Sequence, residues 1–126
     1  MAASFNLFAY GTLRRGGANA GLLDGCEYVG SGIVRGTLYD IDGRFPALVL
    51  YGEADVRGDV WRCPATLLNR LDELEDTAGG LFRRVATDVR VDGGNVPCWL
   101  YTAGPGLSRQ LLPDRRIAGG EWSQLG

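Results

Sequence analysis

Extended runs dominate this chain, and only one stretch carries a helical apolar stripe. Phe5 to Tyr10 predicts a strand, ended by Gly11 and a glycine-rich stretch through Gly21. Gly32 to Ile41 predicts a second, Phe45 to Leu50 a third, and Asp55 to Arg62 a fourth, the last with Val56, Gly58, Val60 and Arg62 in alternation. Val85, Thr87, Val89 and Val91 then alternate with Ala86, Asp88 and Arg90. Asp92-Gly93-Gly94-Asn95 turns the chain into Val96 to Tyr101, the clearest hairpin signal here. A doubly wound sheet would need a helix between most strands, and there are too few. The order implies an α+β fold that is mainly β: a small closed or nearly closed β-barrel with one main helix packed on it, built by residues 1–126 as one domain. The 20 glycines suit the tight corners of such a barrel. Gly104 to Gly126 reads as loop, with Ile117 and Trp122 as its anchors.

The helical stretch begins after Cys63, with Pro64 suited to a first helical position and Gly79-Gly80 as a stop. With residues about 100° apart and Leu67 at zero, Leu74, Leu71 and Leu68 fall at about −20°, about 40° and about 100°. Glu75 falls at about 80°, inside that stripe, whereas Asp72, Glu73 and Asp76 fall on the other side and are expected to stay in water. A glutamate on a core-facing stripe loses hydration, and at a helix C-terminus it also meets the negative pole of the dipole. Both raise its pKa, which prepares a carboxylate for proton transfer near neutral pH. The same letters also fit a helix that ends at Leu74 and turns Glu75 outward.

Composition narrows the chemistry. The chain has no histidine, which excludes Ser-His-Asp and Cys-His nucleophilic catalysis and zinc sites that use imidazole. Cys26, Cys63 and Cys98 are odd in number and scattered, so they read as packed small residues without a disulfide framework. Thirteen basic and fifteen acidic residues give a net charge of −2 with no basic stripe, so nucleic acid is not an expected partner. No basic leader and no long apolar run is present, which predicts a soluble, cytoplasmic protein without a membrane partner. Asp72, Glu73, Glu75 and Asp76 spread over both helix faces and do not converge on a metal.

Tyr10-Gly11-Thr12-Leu13-Arg14-Arg15-Gly16-Gly17 comes straight off the first strand. Its glycine spacing imitates the start of a phosphate-binding loop, but Gly17 and Ala18 stand where lysine and serine or threonine are required. A glycine corner can still expose consecutive backbone N–H groups to an anion such as a carboxylate. A plain strand-to-loop corner reads equally well from the loop alone.

Four elements together resemble the γ-glutamylcyclotransferase-like (AIG2-like) family, and among its members the γ-glutamylamine cyclotransferases. They are Tyr10-Gly11-Thr12-Leu13, Phe45-Pro46-Ala47-Leu48, Val56-Arg57-Gly58-Asp59-Val60-Trp61, and Leu71-Asp72-Glu73-Leu74-Glu75 followed by Leu81-Phe82-Arg83-Arg84-Val85. The resemblance implies a small barrel whose Tyr-Gly-Thr-Leu loop and glutamate face each other across one cavity. It implies Glu75 as the catalytic acid/base, the backbone of Tyr10, Gly11, Thr12 and Leu13 as the holder of a glutamyl moiety, and Tyr101 as a lining aromatic. Phe82 occupies a position where the family usually shows tyrosine, so a hydroxyl contact to substrate is missing. The implied reaction is cyclisation of a small γ-glutamyl substrate with release of 5-oxoproline. The substrate's own α-amine attacks its γ-carbonyl, so one carboxylate can move the proton and no cofactor or metal is required. A non-catalytic barrel that binds a small ligand in the same cavity is the alternative.

Overall fold

The computed structural model describes residues 3–122; residues 1, 2 and 123–126, at the two ends of the sequence reading, lie outside the described residues. Five strands close into a barrel in the order β1-β3-β2-β4-β5. They are β1 (Ser4–Ala9), β2 (Glu27–Ile41), β3 (Phe45–Pro64), β4 (Phe82–Val91) and β5 (Gly94–Ala103), with one α-helix among the described residues, α1 (Leu68–Leu74). The mainly-β barrel with one main helix expected from the sequence is the fold observed.

β1 completes the ring. It pairs antiparallel with β3 from Ser4↔Pro64 to Ala9↔Asp59, and parallel with β5 at Leu7↔Trp99. Its alternation divides the core. Phe8 and Tyr10 join Val34, Leu48, Val60, Val89 and Leu100, a cluster drawn from the other four strands. Leu7 and Ala9 join Leu71 of α1 and Leu13, Leu23 and Leu107 from connecting segments. Both faces of β1 are therefore covered, and Leu7, Phe8 and Ala9 are buried consecutively.

Beyond shifts of a residue or two at strand ends, three differences from the sequence reading stand out. The expected third and fourth strands are one strand, β3, which pairs along the whole of β2. The register passes from Gly36↔Ala54 to Thr37↔Val49, so residues 50–53 form a bulge that breaks the alternation without ending the strand. β2 itself starts at Glu27, before the expected Gly32. Pro64 does not open the helix: at φ −65°, ψ 142° it is extended, and it ends β3 opposite Ser4. Proline is tolerated at a strand end, and a 3-10 turn (Ala65–Leu67) intervenes before α1.

The segment after β5 carries 3-10 turns at Pro105–Gln110 and Pro113–Arg115. Both expected anchors hold it. The Ile117 N–H donates to the Leu38 carbonyl at 2.8 Å, and the buried Trp122 donates from Nε1 to Asp40 Oδ1 at 2.8 Å.

Gly58 is where the interior demands glycine. A Cβ there would lie 2.4 Å from the Ala9 carbonyl oxygen and 2.7 Å from the Phe8 ring. Gly58→Ala should therefore lower unfolding free energy by ~1–3 kcal/mol, the usual effect of overpacking a tight core. Gly21→Ala, with nothing within 4 Å of the added methyl, serves as the control. Urea midpoints that fall equally in the two variants would contradict this packing.

Candidate active site

α1 ends at Leu74, and Glu75 caps it at φ −86°, ψ 1°, its N–H donating to the Leu71 carbonyl at 3.0 Å. The shorter of the two helix readings is the observed one, yet Glu75 does not turn outward. Its side chain lines a cavity of about 200 Å³, while Leu74, placed on the apolar stripe by the sequence, is 41% exposed. The last helical turn has lost its periodicity, so the chain leaves with the carboxylate inward and the leucine outward. Burial pushes the Glu75 carboxyl up from its ordinary value to about 7.

The other expected site residues converge on the same space. Tyr10, Gly11, Thr12 and Leu13 line the cavity, as do Phe82 and Tyr101. Phe82 is buried and packs on Phe45 with ring centroids 5.8 Å apart, so this wall is apolar where a tyrosine would be polar. Among the described residues, the N–H groups of Gly11, Thr12 and Leu13 have no acceptor in the protein. Such donors need water or a ligand when they are shielded from bulk solvent, as the buried Leu13 is.

The loop that carries them is held at several points. The Asn19 N–H donates to the Thr12 carbonyl at 2.8 Å and its side-chain amide to Thr12 Oγ1 at 2.9 Å. The buried Asp59 of β3 accepts from the Arg15 N–H at 2.9 Å and stands 3.6 Å from Arg14 Nε. Gly11 itself packs so closely that a Cβ would come within 2.8 Å of the Pro46 ring. The sequence did not mark Asp59 as a support of this loop, because it alternates with Gly58 and Val60 beside Arg57 as an ordinary polar-face residue of a strand.

Two tyrosines tie the cavity walls together. The Tyr10 hydroxyl donates to the Tyr101 carbonyl and accepts the Leu48 N–H at 3.2 Å. Burial, reinforced by the negative charge of Glu75, raises the Tyr10 pKa and keeps its proton in place. The Tyr101 hydroxyl donates to Asp72 Oδ1 at 2.7 Å, and burial followed by this bond and the charge of Asp72 raises its pKa as well.

Asp72 therefore does not stay in water as expected. It is half-buried, paired at 3.3 Å with Arg84, whose guanidinium stacks 4.6 Å from the Trp99 ring. This pins α1, and with it Glu75, to the β4–β5 hairpin. Glu73 is exposed, and Asp76 is spent on the turn beyond the helix, accepting from the Gly79 N–H at 3.2 Å. The four acidic side chains thus diverge. None of the three cysteines lines the cavity; Cys63 and Cys98 are buried, and burial pushes the Cys98 thiol up to about 11.

A family model described as gamma-glutamyl cyclotransferase, AIG2-like, matches residues 7–124. The chain belongs to that family. It is similar to the gamma-L-glutamyl-butirosin B gamma-glutamyl cyclotransferase of Niallia circulans, with 32% identity over 102 residues, 76% of this chain and 65% of that protein. Thus the chain spans about two thirds of that relative's length. Its fold resembles an AIG2-like protein from Mus musculus, with a TM-score of 0.76 and 24% identity over 98% of this chain and 90% of the other. It also resembles protein ytfP from Escherichia coli, with a TM-score of 0.66 and 28% identity over 93% and 95% of the two chains. The family is named for an enzyme activity.

The Asp72–Tyr101 bond has a measurable consequence. A double-mutant cycle of Asp72→Ala and Tyr101→Phe should show a coupling of roughly 1–3 kcal/mol in unfolding free energy, as for a hydrogen bond to a charged group. Glu73→Ala should stay within about 0.5 kcal/mol of the parent. Additive losses at 72 and 101 would contradict the anchoring of α1.

Proposed function

We propose that this protein is a γ-glutamyl cyclotransferase that converts a small γ-glutamyl compound into 5-oxoproline and a free amine, with Glu75 as the acid/base. The observation that carries the reading is that, among the described residues, a single half-buried carboxylate, Glu75, shares one small cavity with the unpaired N–H groups of Gly11, Thr12 and Leu13. Family membership supports the same reading.

In this reading the loop N–H groups bind the substrate's α-carboxylate, and the apolar faces of Phe82, Phe45 and Tyr101 fold the glutamyl chain into a ring-like conformer. The α-amine then lies near its own γ-carbonyl, the kind of enforced proximity worth effective molarities of about 10⁵ M or more. The amine arrives as ammonium. Glu75 removes one proton, the freed amine attacks and the C–N bond of the new ring forms. Glu75 passes that proton to the leaving nitrogen as the old amide bond breaks. The ring nitrogen's second surplus proton follows to the departing amine, which leaves as an ammonium with Glu75 ionised again. A carboxyl poised at about 7 exchanges protons readily in both directions near neutrality. The tyrosine hydroxyls stay protonated beside it and donate to fixed partners, so Glu75 is the group free to titrate.

Burial of this carboxylate also carries a stability signature. A glutamate whose folded pKa is raised stabilises the folded state below its unfolded pKa, and that contribution disappears as pH rises through about 7. Glu75→Gln should abolish 5-oxoproline release across a panel of γ-glutamyl compounds while remaining folded. Above about pH 8 it should be more stable than the parent by roughly 3 kcal/mol, with the difference shrinking towards acid pH. Undiminished release by Glu75→Gln would contradict the assignment. A parent protein that binds 5-oxoproline but turns over no member of the panel would leave a ligand-binding barrel instead.

A further inference from the structure

Among the described residues the cavity has two charged lining residues, Glu75 within it and Arg44 at its opening. Arg44 is exposed, as are the lining residues Asn19 and Leu74, and these three mark the mouth. A rigid turn sets its place. Asp42 and Gly43 lie at φ 55° and 71° in the three-residue connection between the paired Ile41 and Phe45, and the Arg44 N–H closes the turn on the Ile41 carbonyl at 3.0 Å. Asp40 braces the turn from below, accepting the Gly43 N–H at 3.0 Å on one oxygen and Trp122 Nε1 on the other. The Arg44 guanidinium sits 5.5 Å from the ring of Phe45, itself part of the cavity wall.

Its charge is only loosely paired. Asp42 is 3.8 Å from Arg44 and 3.3 Å from Arg115, so one carboxylate is shared between two guanidinium groups, while the oxygens of Asp40 are taken up by the Gly43 N–H and Trp122. The contact with Arg44 is the looser of the two.

The next step rests on the cyclotransferase reading. The glutamyl half of a substrate places its α-carboxylate on the loop N–H groups and its α-amine against Glu75, which accounts for both of its charges inside the cavity. A volume of about 200 Å³ lies below the roughly 300–1,000 Å³ typical of pockets for drug-sized ligands, so it suits the glutamyl half alone. The departing amine must then extend through the mouth, past Arg44. We propose that Arg44 is a specificity-determining residue that selects leaving amines bearing a carboxylate over neutral or cationic ones. A guanidinium meets a carboxylate with two parallel N–H donors, and it repels an ammonium at the same place.

The test uses three substrates that differ only at the far end of the leaving group. These are γ-glutamylalanine, the same compound with a carboxamide in place of the alanine carboxyl, and the analogue with an aminomethyl group there. The parent protein should favour them in that order in kcat/KM for 5-oxoproline release, with steps of about three- to tenfold, the modest size expected of an exposed rim contact. Arg44→Gln should compress the order towards equality, and Arg44→Glu should reverse it. The parent's preference should also shrink at high salt, since the rim is open to screening. Equal or reversed rates in the parent would overturn the inference while leaving the cyclotransferase reading intact. So would Arg44→Gln lowering all three rates by the same factor, because Arg44 would then be holding the glutamyl half common to all. Absence of 5-oxoproline from all three substrates would sink both.

Discussion

β1 is the strand on which the architecture depends, because it is gripped from both sides and buried on both faces. Its antiparallel pairing with β3 and its parallel bridge to β5 at Leu7↔Trp99 leave no free edge where the ring closes. A strand held this firmly delivers the residues that follow it to a fixed place. The loop from Tyr10 to Leu13 therefore starts at the rim of the barrel, where the buried Asp59 and the side chain of Asn19 hold it. α1 reaches the same rim by another route, packed through Leu71 against the outer face of β1 and tied through Asp72 to Tyr101 and Arg84. Donors and carboxylate meet there because two independent attachments bring them to one side of one cavity.

The electrostatics follow from that placement. Glu75 has apolar walls in Phe45, Phe82 and Leu81 and no cation paired with it among the described residues. Nearby polar groups are already committed: Tyr10 to the Tyr101 carbonyl, Tyr101 to Asp72, and Arg84 to Asp72. Asp72 thus takes up the hydroxyl and the guanidinium that would otherwise be available to stabilise a second anion. The outcome is a carboxylate that gains little from ionising, which is the property a base for an ammonium proton requires near neutral pH.

Much of this was legible in the residues, for local reasons. Asp92-Gly93 with flanking alternation forces a hairpin, and the scarcity of helical stripes forces a closed β-structure. The inward position of Glu75 was one of two readings the residues left open, and because the helix ends before it and Leu74 faces out, the apolar stripe does not account for it. What the residues did not reveal depended on partners distant in sequence. The bulge at residues 50–53 looks like a break until β2 is seen to pair on both sides of it. Pro64 looks like a helix start until β1 is seen to hold it in the sheet. Asp72 looks like a solvated acid because the residues that bury it, Arg84 and Tyr101, arrive on the following hairpin. Arg44 at the mouth was equally invisible, since its role depends on where the cavity opens.

The central claim is that Glu75 is desolvated in the free protein and poised for proton transfer. A carbon-13 NMR titration of its carboxyl, assigned by comparison with Glu75→Gln, measures this without any assumption about substrate. The account predicts a midpoint of about 7. A midpoint at or below the model-peptide value of about 4.3 would show a solvated or ion-paired carboxylate and would contradict it.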